Sequence, residues 1–352
     1  MSLNYKTKTL FYPGHTACAG CGQNLAARHV INAFGPNTIV VNATGCLEVT
    51  TTKFGESAWG VPYIHSLFEN PAAVASGILA ALKYRLQITN HKLQTNSKFQ
   101  IPKNKIENCG IENSLKIENC KLKIENNPKV IVLAGDGSTY DIGFGILAGM
   151  FERMDDITYV CFDNEGYQNT GGQYSGSSPL GAETTTTPIG KNSEGADEHK
   201  KNMPAFAVSQ GLEYVATSSV AYPEDIVNKI KKSFEFKGPK YIQILVTCVP
   251  GWGTDSKDTI KIARLAVETG FYPVMEIIKG KITKVIKVPA LKPKIEEYLK
   301  LQDRFKHLFK DEEGKKIIRK LQKICDQNIE VYGLCPTCED HKVLTHYRDI
   351  GE

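Results

Sequence analysis

Lys129-Val-Ile-Val-Leu-Ala-Gly-Asp-Gly-Ser-Thr-Tyr-Asp-Ile-Gly-Phe-Gly145 runs apolar from Val130 to Ala134 and then breaks into a glycine-lined acidic turn. Residues 157–163 behave the same way, ending in Asp163-Asn-Glu-Gly-Tyr-Gln-Asn169. Between them Ile142, Ile146 and Met150 recur at helical spacing with Phe144 and Leu147 alongside, which predicts a helix over 142–153. Strand, helix, strand is a crossover, so the two strands run parallel and both acidic turns fall at one edge of the sheet. In an open parallel sheet that edge, outside the carboxyl ends of the strands, is where ligands bind. The fold class is therefore α/β, a doubly wound, mostly parallel sheet.

Asp136 offers a hard carboxylate, Asn164 a neutral amide oxygen and Gly166 a backbone carbonyl with no side chain in the way. That set suits a six-coordinate Mg2+ whose other ligands are phosphate oxygens and water. Gly135, Gly137 and the amides that open the next helix are placed to meet the phosphates. The two turns together predict a magnesium-diphosphate site.

Gly-Asp-Gly followed, after one helix and one strand, by Asn164 resembles the diphosphate motif of thiamine-diphosphate enzymes. More narrowly, Gly-Asp-Gly-Ser-Thr-Tyr-Asp-Ile-Gly-Phe-Gly together with Tyr-Gln-Asn-Thr-Gly-Gly-Gln resembles the beta subunit of pyruvate:ferredoxin oxidoreductase and its relatives acting on other 2-oxoacids. The resemblance covers about residues 10–84 and 128–310. It implies a sheet of the thiamine-diphosphate-binding type and the oxidative decarboxylation of a 2-oxoacid with coenzyme A. Pyruvate is the expected substrate, with 2-oxoisovalerate or 2-oxoglutarate as alternatives and ferredoxin or flavodoxin as electron acceptor. It also implies that Asn169 lies near the reacting carbon. A non-redox thiamine decarboxylase or transketolase-like chain is the rival enzyme reading, and a nucleotide-diphosphate-binding regulatory or electron-carrying module the rival outside enzymes.

With 352 residues, 41% hydrophobic and 23% charged, the chain has room for one large α/β domain and an extension. A net charge of +5 is small for this length, and no Lys/Arg run is interleaved with aromatics, so nothing points to nucleic acid. The N-terminal residues lack an apolar leader and no long apolar run suggests a membrane span, so a soluble cytoplasmic protein is expected. Ten cysteines in such a compartment pose a question of metal or redox chemistry rather than of disulfides.

Cys18 and Cys21 stand three apart in a glycine-rich loop that opens a helix, a spacing compatible with zinc, an iron-sulfur cluster or a dithiol. Residues 38–43 and 240–246 read as strands, with Cys46 and Cys248 just past their ends. If those strands join the sheet, both cysteines reach the edge that carries Asp136. Four thiolates from three loops could then close a [4Fe-4S] cage beside the phosphate site, with structural zinc as the competing occupant. The family resemblance implies the cluster on the same four positions. Cys46 and Glu48 are placed with the cofactor-binding residues, and His65, in Val-Pro-Tyr-Ile-His, is a lesser candidate.

Elsewhere, residues 85–127 carry an imperfect Lys-Ile-Glu-Asn repeat and depart from the family pattern as a surface insertion, with Cys109 and Cys120 free. Residues 170–191 form a Gly/Ser/Thr loop expected to order across the cofactor. The domain is drawn at 1–275, with 276–352 as an extension that contacts other subunits, chiefly through a charged helix over 292–308. Cys335 and Cys338, with Cys325 and His341, are weighed as zinc ligands or as a plain exposed tail. No confident candidate emerges for the glutamate that activates thiamine diphosphate. The resemblance implies that an alpha subunit supplies it, with gamma- and delta-type subunits completing the complex.

Overall fold

The computed structural model describes residues 9–53, 56–94 and 128–338. In chain order it contains α1 (Gly22–Phe34), β1 (Thr38–Ala43), α2 (Cys46–Thr51), β2 (Tyr63–Ser66), α3 (Pro71–Gln94), β3 (Lys129–Gly135), α4 (Phe144–Glu152), β4 (Thr158–Asp163), β5 (Ile189–Gly190), β6 (Ser193–Glu194), α5 (Met203–Ser209), β7 (Tyr214–Ser219), α6 (Pro223–Ser233), β8 (Lys240–Leu245), α7 (Val249–Trp252), α8 (Thr259–Glu268), β9 (Met275–Ile278), β10 (Lys281–Val285), α9 (Ile295–Leu299) and α10 (Glu312–Val331). Most of the repeat-bearing insertion, Cys109 and Cys120 included, lies outside the described residues, as do His341 and residues 1–8. Helix α3 continues to Gln94, into the start of the segment read as an insertion.

Eight strands make one sheet in the order β10-β9-β7-β8-β4-β3-β1-β2. The six from β7 to β2 are mutually parallel, while β9 runs antiparallel to β7 and β10 to β9. Strands β1, β4, β7 and β8 are buried along their whole length, as strands of a parallel sheet covered on both faces are. Alternate side chains of β3 feed two cores. Val130, Val132 and Ala134 meet α3, α4 and α5 on one face, and Ile131 and Leu133 meet α1 and α6 on the other. Each such valine, isoleucine or leucine side chain contributes about 1.5–3 kcal/mol on burial. Helix α6 shows how locally consistent these elements are: Pro223 opens it, Glu224 and Asp225 face its positive end, Lys231 and Lys232 its negative end, and Ile226 and Ile230 share the buried face.

Two local readings are corrected. The helix expected over 142–153 is preceded by a π-helical turn, Gly137–Ile142, and α4 itself begins at Phe144. The wide turn is tied down by Ser138 Oγ donating to the Phe68 carbonyl at 2.6 Å and Thr139 Oγ1 to that of Gly135 at 2.7 Å. Periodicity missed it because glycines and hydroxyls carry no apolar stripe. The segment read as one charged helix over 292–308 is two short pieces, α9 and a 3-10 turn at Asp303–Phe309, and its apolar residues pack on this chain: Ile295, Tyr298, Leu299, Phe305 and Leu308 are buried with Trp252 and α8 in a third core. Among the described residues no helix is long and apolar enough to cross a membrane.

Candidate active site

The carboxyl ends of β1, β3 and β4 enclose a cleft of about 130 Å3. It opens where the sheet's connections diverge, because the chain leaves β1 toward β2 and β3 toward β4 on the opposite side. Gly135, Asp136 and Gly137 line it from β3, Asn164, Gly166 and Asn169 from the turn after β4, and Cys46 from the start of α2. The sequence reading did not include Gln23, Asn42, Thr44, Phe68, Tyr167, Gln168 or Thr170, which complete the wall. Nearness to the second turn could have signalled Tyr167, Gln168 and Thr170; Gln23, Asn42, Thr44 and Phe68 come from other segments and carry no local signal.

At the floor, three candidate ligand groups converge. With the Asn164 amide turned to satisfy its surroundings, its nitrogen donates to Asp136 Oδ1 at 2.8 Å and to the Gly166 carbonyl at 2.9 Å. A cation there would rotate the amide and present its oxygen instead. Asp136 also accepts from the Gly166 amide at 2.8 Å, the Asn164 amide at 3.3 Å and the Ser175 hydroxyl. Those three donors leave acceptor capacity on the carboxylate for a metal. Burial, then the neighbouring Asp163 charge, pushes the Asp136 carboxyl up to about 8. A divalent cation would reverse that penalty. The donor set, one carboxylate, one amide oxygen and one free carbonyl, fits Mg2+. The Asn164 and Glu165 carbonyls are already taken, by Trp252 Nε1 at 2.8 Å and Ser178 Oγ at 3.1 Å. Gly137 closes on the Tyr167 ring so tightly that a Cβ would lie 2.7 Å from it, so the backbone approach there needs glycine.

Beneath the turn lies a buried charge network. Lys200 Nζ pairs with Asp163 at 2.7 Å and with Glu165 at 3.2 Å, and Arg304 Nη2 with Glu165 at 2.6 Å. Burial alone would push the Glu165 carboxyl up, but Lys200 and Arg304 hold it below its ordinary range. Neither Lys200 nor Arg304 was legible as a partner of the turn, since both come from distant segments.

The four candidate cluster cysteines are brought into one neighbourhood. Cys21 caps α1, Cys46 opens α2 and Cys248 caps α7. The Cys18–Cys21 loop docks on the strand end before Cys248: the Gly22 amide donates to the Thr247 carbonyl at 3.1 Å and Thr259 Oγ1 to that of Gly20 at 2.7 Å. Asn24 links the loops, its amide donating to Thr50 Oγ1 at 3.2 Å while Thr50 donates to the Cys46 carbonyl at 2.9 Å. Burial first, then the charges of Cys248, Cys21 and Cys18, pushes the Cys46 thiol up to about 12. Burial and the Cys21 and Cys18 charges outweigh a lowering backbone contact from Gly251 to push Cys248 to about 12. Groups that suppress one another's ionisation in this way become thiolates when a positively charged centre sits among them, which fits an iron-sulfur cluster. Among the described residues no three His, Cys, Asp or Glu side chains are set to hold a single metal ion.

Other expected residues go elsewhere. The Glu48 carboxylate does not line the cleft; it accepts from Thr52 Oγ1 at 2.9 Å and lies 3.6 Å from His65 Nδ1. His65 Nε2 is 2.7 Å from Thr44 Oγ1, one residue removed from the cleft wall by that contact. Cys335 and Cys338 form a disulfide and Cys325 is buried in α10, so these three do not gather as zinc ligands, and the segment before the pair is no loose tail because Tyr332 and Leu334 are buried.

Fold and site define the cofactor domain of a thiamine-diphosphate enzyme, and residues 116–244 match the family described as thiamine pyrophosphate enzyme, C-terminal TPP binding domain. Over 327 residues the chain is 46% identical to the pyruvate synthase subunit PorB of Methanosarcina barkeri, covering 93% of this chain and 98% of that one. The chain belongs to the pyruvate synthase PorB subunit family. It is also 39% identical to the ketoisovalerate oxidoreductase subunit VorB of Pyrococcus furiosus, over 86% of this chain and 87% of that one. Among solved structures, a 2-oxoglutarate:ferredoxin oxidoreductase from Magnetococcus marinus aligns over 72% of this chain and 79% of its own at 21% identity, with a TM-score of 0.48.

Proposed function

We propose that this chain is the cofactor- and cluster-bearing beta subunit of a pyruvate:ferredoxin oxidoreductase. That enzyme converts pyruvate and coenzyme A to acetyl-coenzyme A and carbon dioxide while two electrons pass to ferredoxin or flavodoxin, or runs the reverse. The observation that carries the reading is the convergence of Asp136, the Asn164 amide and the Gly166 carbonyl at the sheet's switch point, beside four gathered cysteines.

Asp136, Asn164 and Gly166 would hold Mg2+, and the backbone at Gly135 and Gly137 would meet the diphosphate. When bound, thiamine diphosphate supplies a carbon nucleophile and an electron sink for removing or adding carbon dioxide. Cys18, Cys21, Cys46 and Cys248 would hold a [4Fe-4S] cluster, the exit for electrons. Asn169, exposed on the rim of the cleft, would lie near the reacting carbon. Phe68 and Tyr167, whose rings meet edge to face at 5.6 Å, give the cleft an apolar wall. An alpha subunit would supply the activating glutamate, and gamma- and delta-type subunits would complete the complex in the cytoplasm.

The test is anaerobic purification of the complex followed by dye reduction with a panel of 2-oxoacids and coenzyme A, alongside iron and thiamine diphosphate analysis. Pyruvate should be the best substrate, with four iron atoms per chain attributable to this subunit. A cofactor-replete, iron-free chain would instead point to a non-redox decarboxylase, and preference for 2-oxoisovalerate would move the substrate assignment.

A further inference from the structure

Glu165 stands between two of the groups read as Mg2+ ligands, yet it is a carboxylate that turns away from the cation site. The reason is in its backbone: φ is +61°, the left-handed region that a residue with a Cβ adopts only under constraint. That conformation throws the side chain behind the turn, where it is fully buried, and leaves the Asn164 amide and the Gly166 carbonyl facing Asp136. Something behind the turn must hold it there. Lys200 divides itself between Asp163 and Glu165. Arg304 pairs with Glu165 alone, at 2.6 Å, across 139 residues of chain.

Arg304 also grips the other side of the kink. Its guanidinium lies 4.0 Å from the centre of the Trp252 ring, and Trp252 Nε1 donates to the Asn164 carbonyl at 2.8 Å. Gln302 Oε1 accepts from Arg304 Nε at 2.9 Å and Nη2 at 2.7 Å, so the planar group is fixed before it meets the turn. A fork that can pair and stack at once is a property of arginine that lysine lacks.

We infer that Arg304, from the C-terminal part of the chain, is a positioning residue for the metal turn: through Glu165 and Trp252 it fixes the left-handed kink that aims Asn164 and Gly166 at Asp136. This rests on the reading of Asp136, Asn164 and Gly166 as Mg2+ ligands. The residue touches neither cofactor nor substrate; it acts through backbone geometry.

The experiment is a Mg2+ titration of thiamine diphosphate binding, by calorimetry on the anaerobic complex, so that the readout is affinity rather than turnover. Arg304→Met should raise the Mg2+ concentration for half-saturation by about tenfold or more, as losses around a metal's direct ligands commonly do. The decisive variant is Arg304→Met combined with Glu165→Gly. Glycine takes a positive φ freely and leaves no unpaired buried carboxylate, so the double variant should return to within about threefold of wild type. If Arg304→Met fails to assemble, the double variant alone decides: near-wild-type Mg2+ dependence supports the inference, and a loss of about tenfold or more overturns it. Asp136→Asn separates the two levels. Should it leave the Mg2+ dependence untouched, the ligand set falls and the inference with it. Should it abolish the dependence while Arg304→Met titrates like wild type, the ligand set stands and the role of Arg304 is refuted.

Discussion

At the scale of single residues, the site is a problem of charge. Cys248 is half-buried and its thiol is pushed up to about 12, so it stays neutral at ordinary pH unless a cation lies against it. The sulfur therefore matters most when iron is present. Replacing it by Ser keeps the shape and removes the soft ligand: Cys248→Ser should lower iron per chain and visible absorbance, while Cys338→Ser, in the disulfide far along the chain, leaves both at the wild-type level. Loss of iron in the second variant and not the first would relocate the cluster. Residue identities of this kind were the most legible part of the sequence. Gly135, Asp136, Gly137, Asn164, Gly166, Asn169 and Cys46 were all named from spacing or resemblance, and all line one cleft. Glu48 was legible only as a neighbour of Cys46, and on α2 its side chain points toward His65 instead.

Among elements, what counts is which loops touch. The docking of the Cys18–Cys21 loop and the start of α1 against the segment that follows β8 leaves no space at their glycines: a Cβ on Gly22 would lie 2.6 Å from the Thr247 amide nitrogen, and one on Gly20 2.7 Å from the Ser256 carbonyl. These neighbours are backbone and cannot step aside. Gly22→Ala should therefore push the loop off Cys248, costing about 1–3 kcal/mol of stability and lowering iron content while thiamine diphosphate binding falls less. Iron and melting temperature at wild-type values would show that the loop can be moved freely. The order of the eight strands lay outside the sequence reading; the parallel run of β3 and β4 followed from the crossover pattern, because a buried strand and an amphipathic helix each announce their period. The π-helical turn at Gly137–Ile142 and the inward packing of Ile295, Tyr298 and Phe305 did not. Both depend on tertiary partners, Phe68 in one case and Trp252 with α8 in the other, that no local window contains.

For the molecule as a whole, the cleft is unfinished. Asp136 is the only carboxylate on its wall among the described residues, and its oxygens face two backbone amides, Ser175 and the space read as the cation site. The chain alone should bind Mg2+ and hold thiamine diphosphate weakly, yet show no pyruvate-dependent dye reduction until an alpha subunit is added. Robust turnover by the isolated polypeptide would mean that the activating carboxylate is its own. The bond from Thr259 Oγ1 to the Gly20 carbonyl, which seats the first cysteine loop, joins residues 239 apart. During synthesis, at about 5–20 residues per second, Cys18 and Cys21 thus spend on the order of tens of seconds outside the ribosome before the segment that receives them has been made. Over that interval the nascent chain carries unshielded thiols, and the closing contact is a late, non-local event. A cluster held by these four cysteines would consequently be delivered only after the chain had been made as far as Thr259.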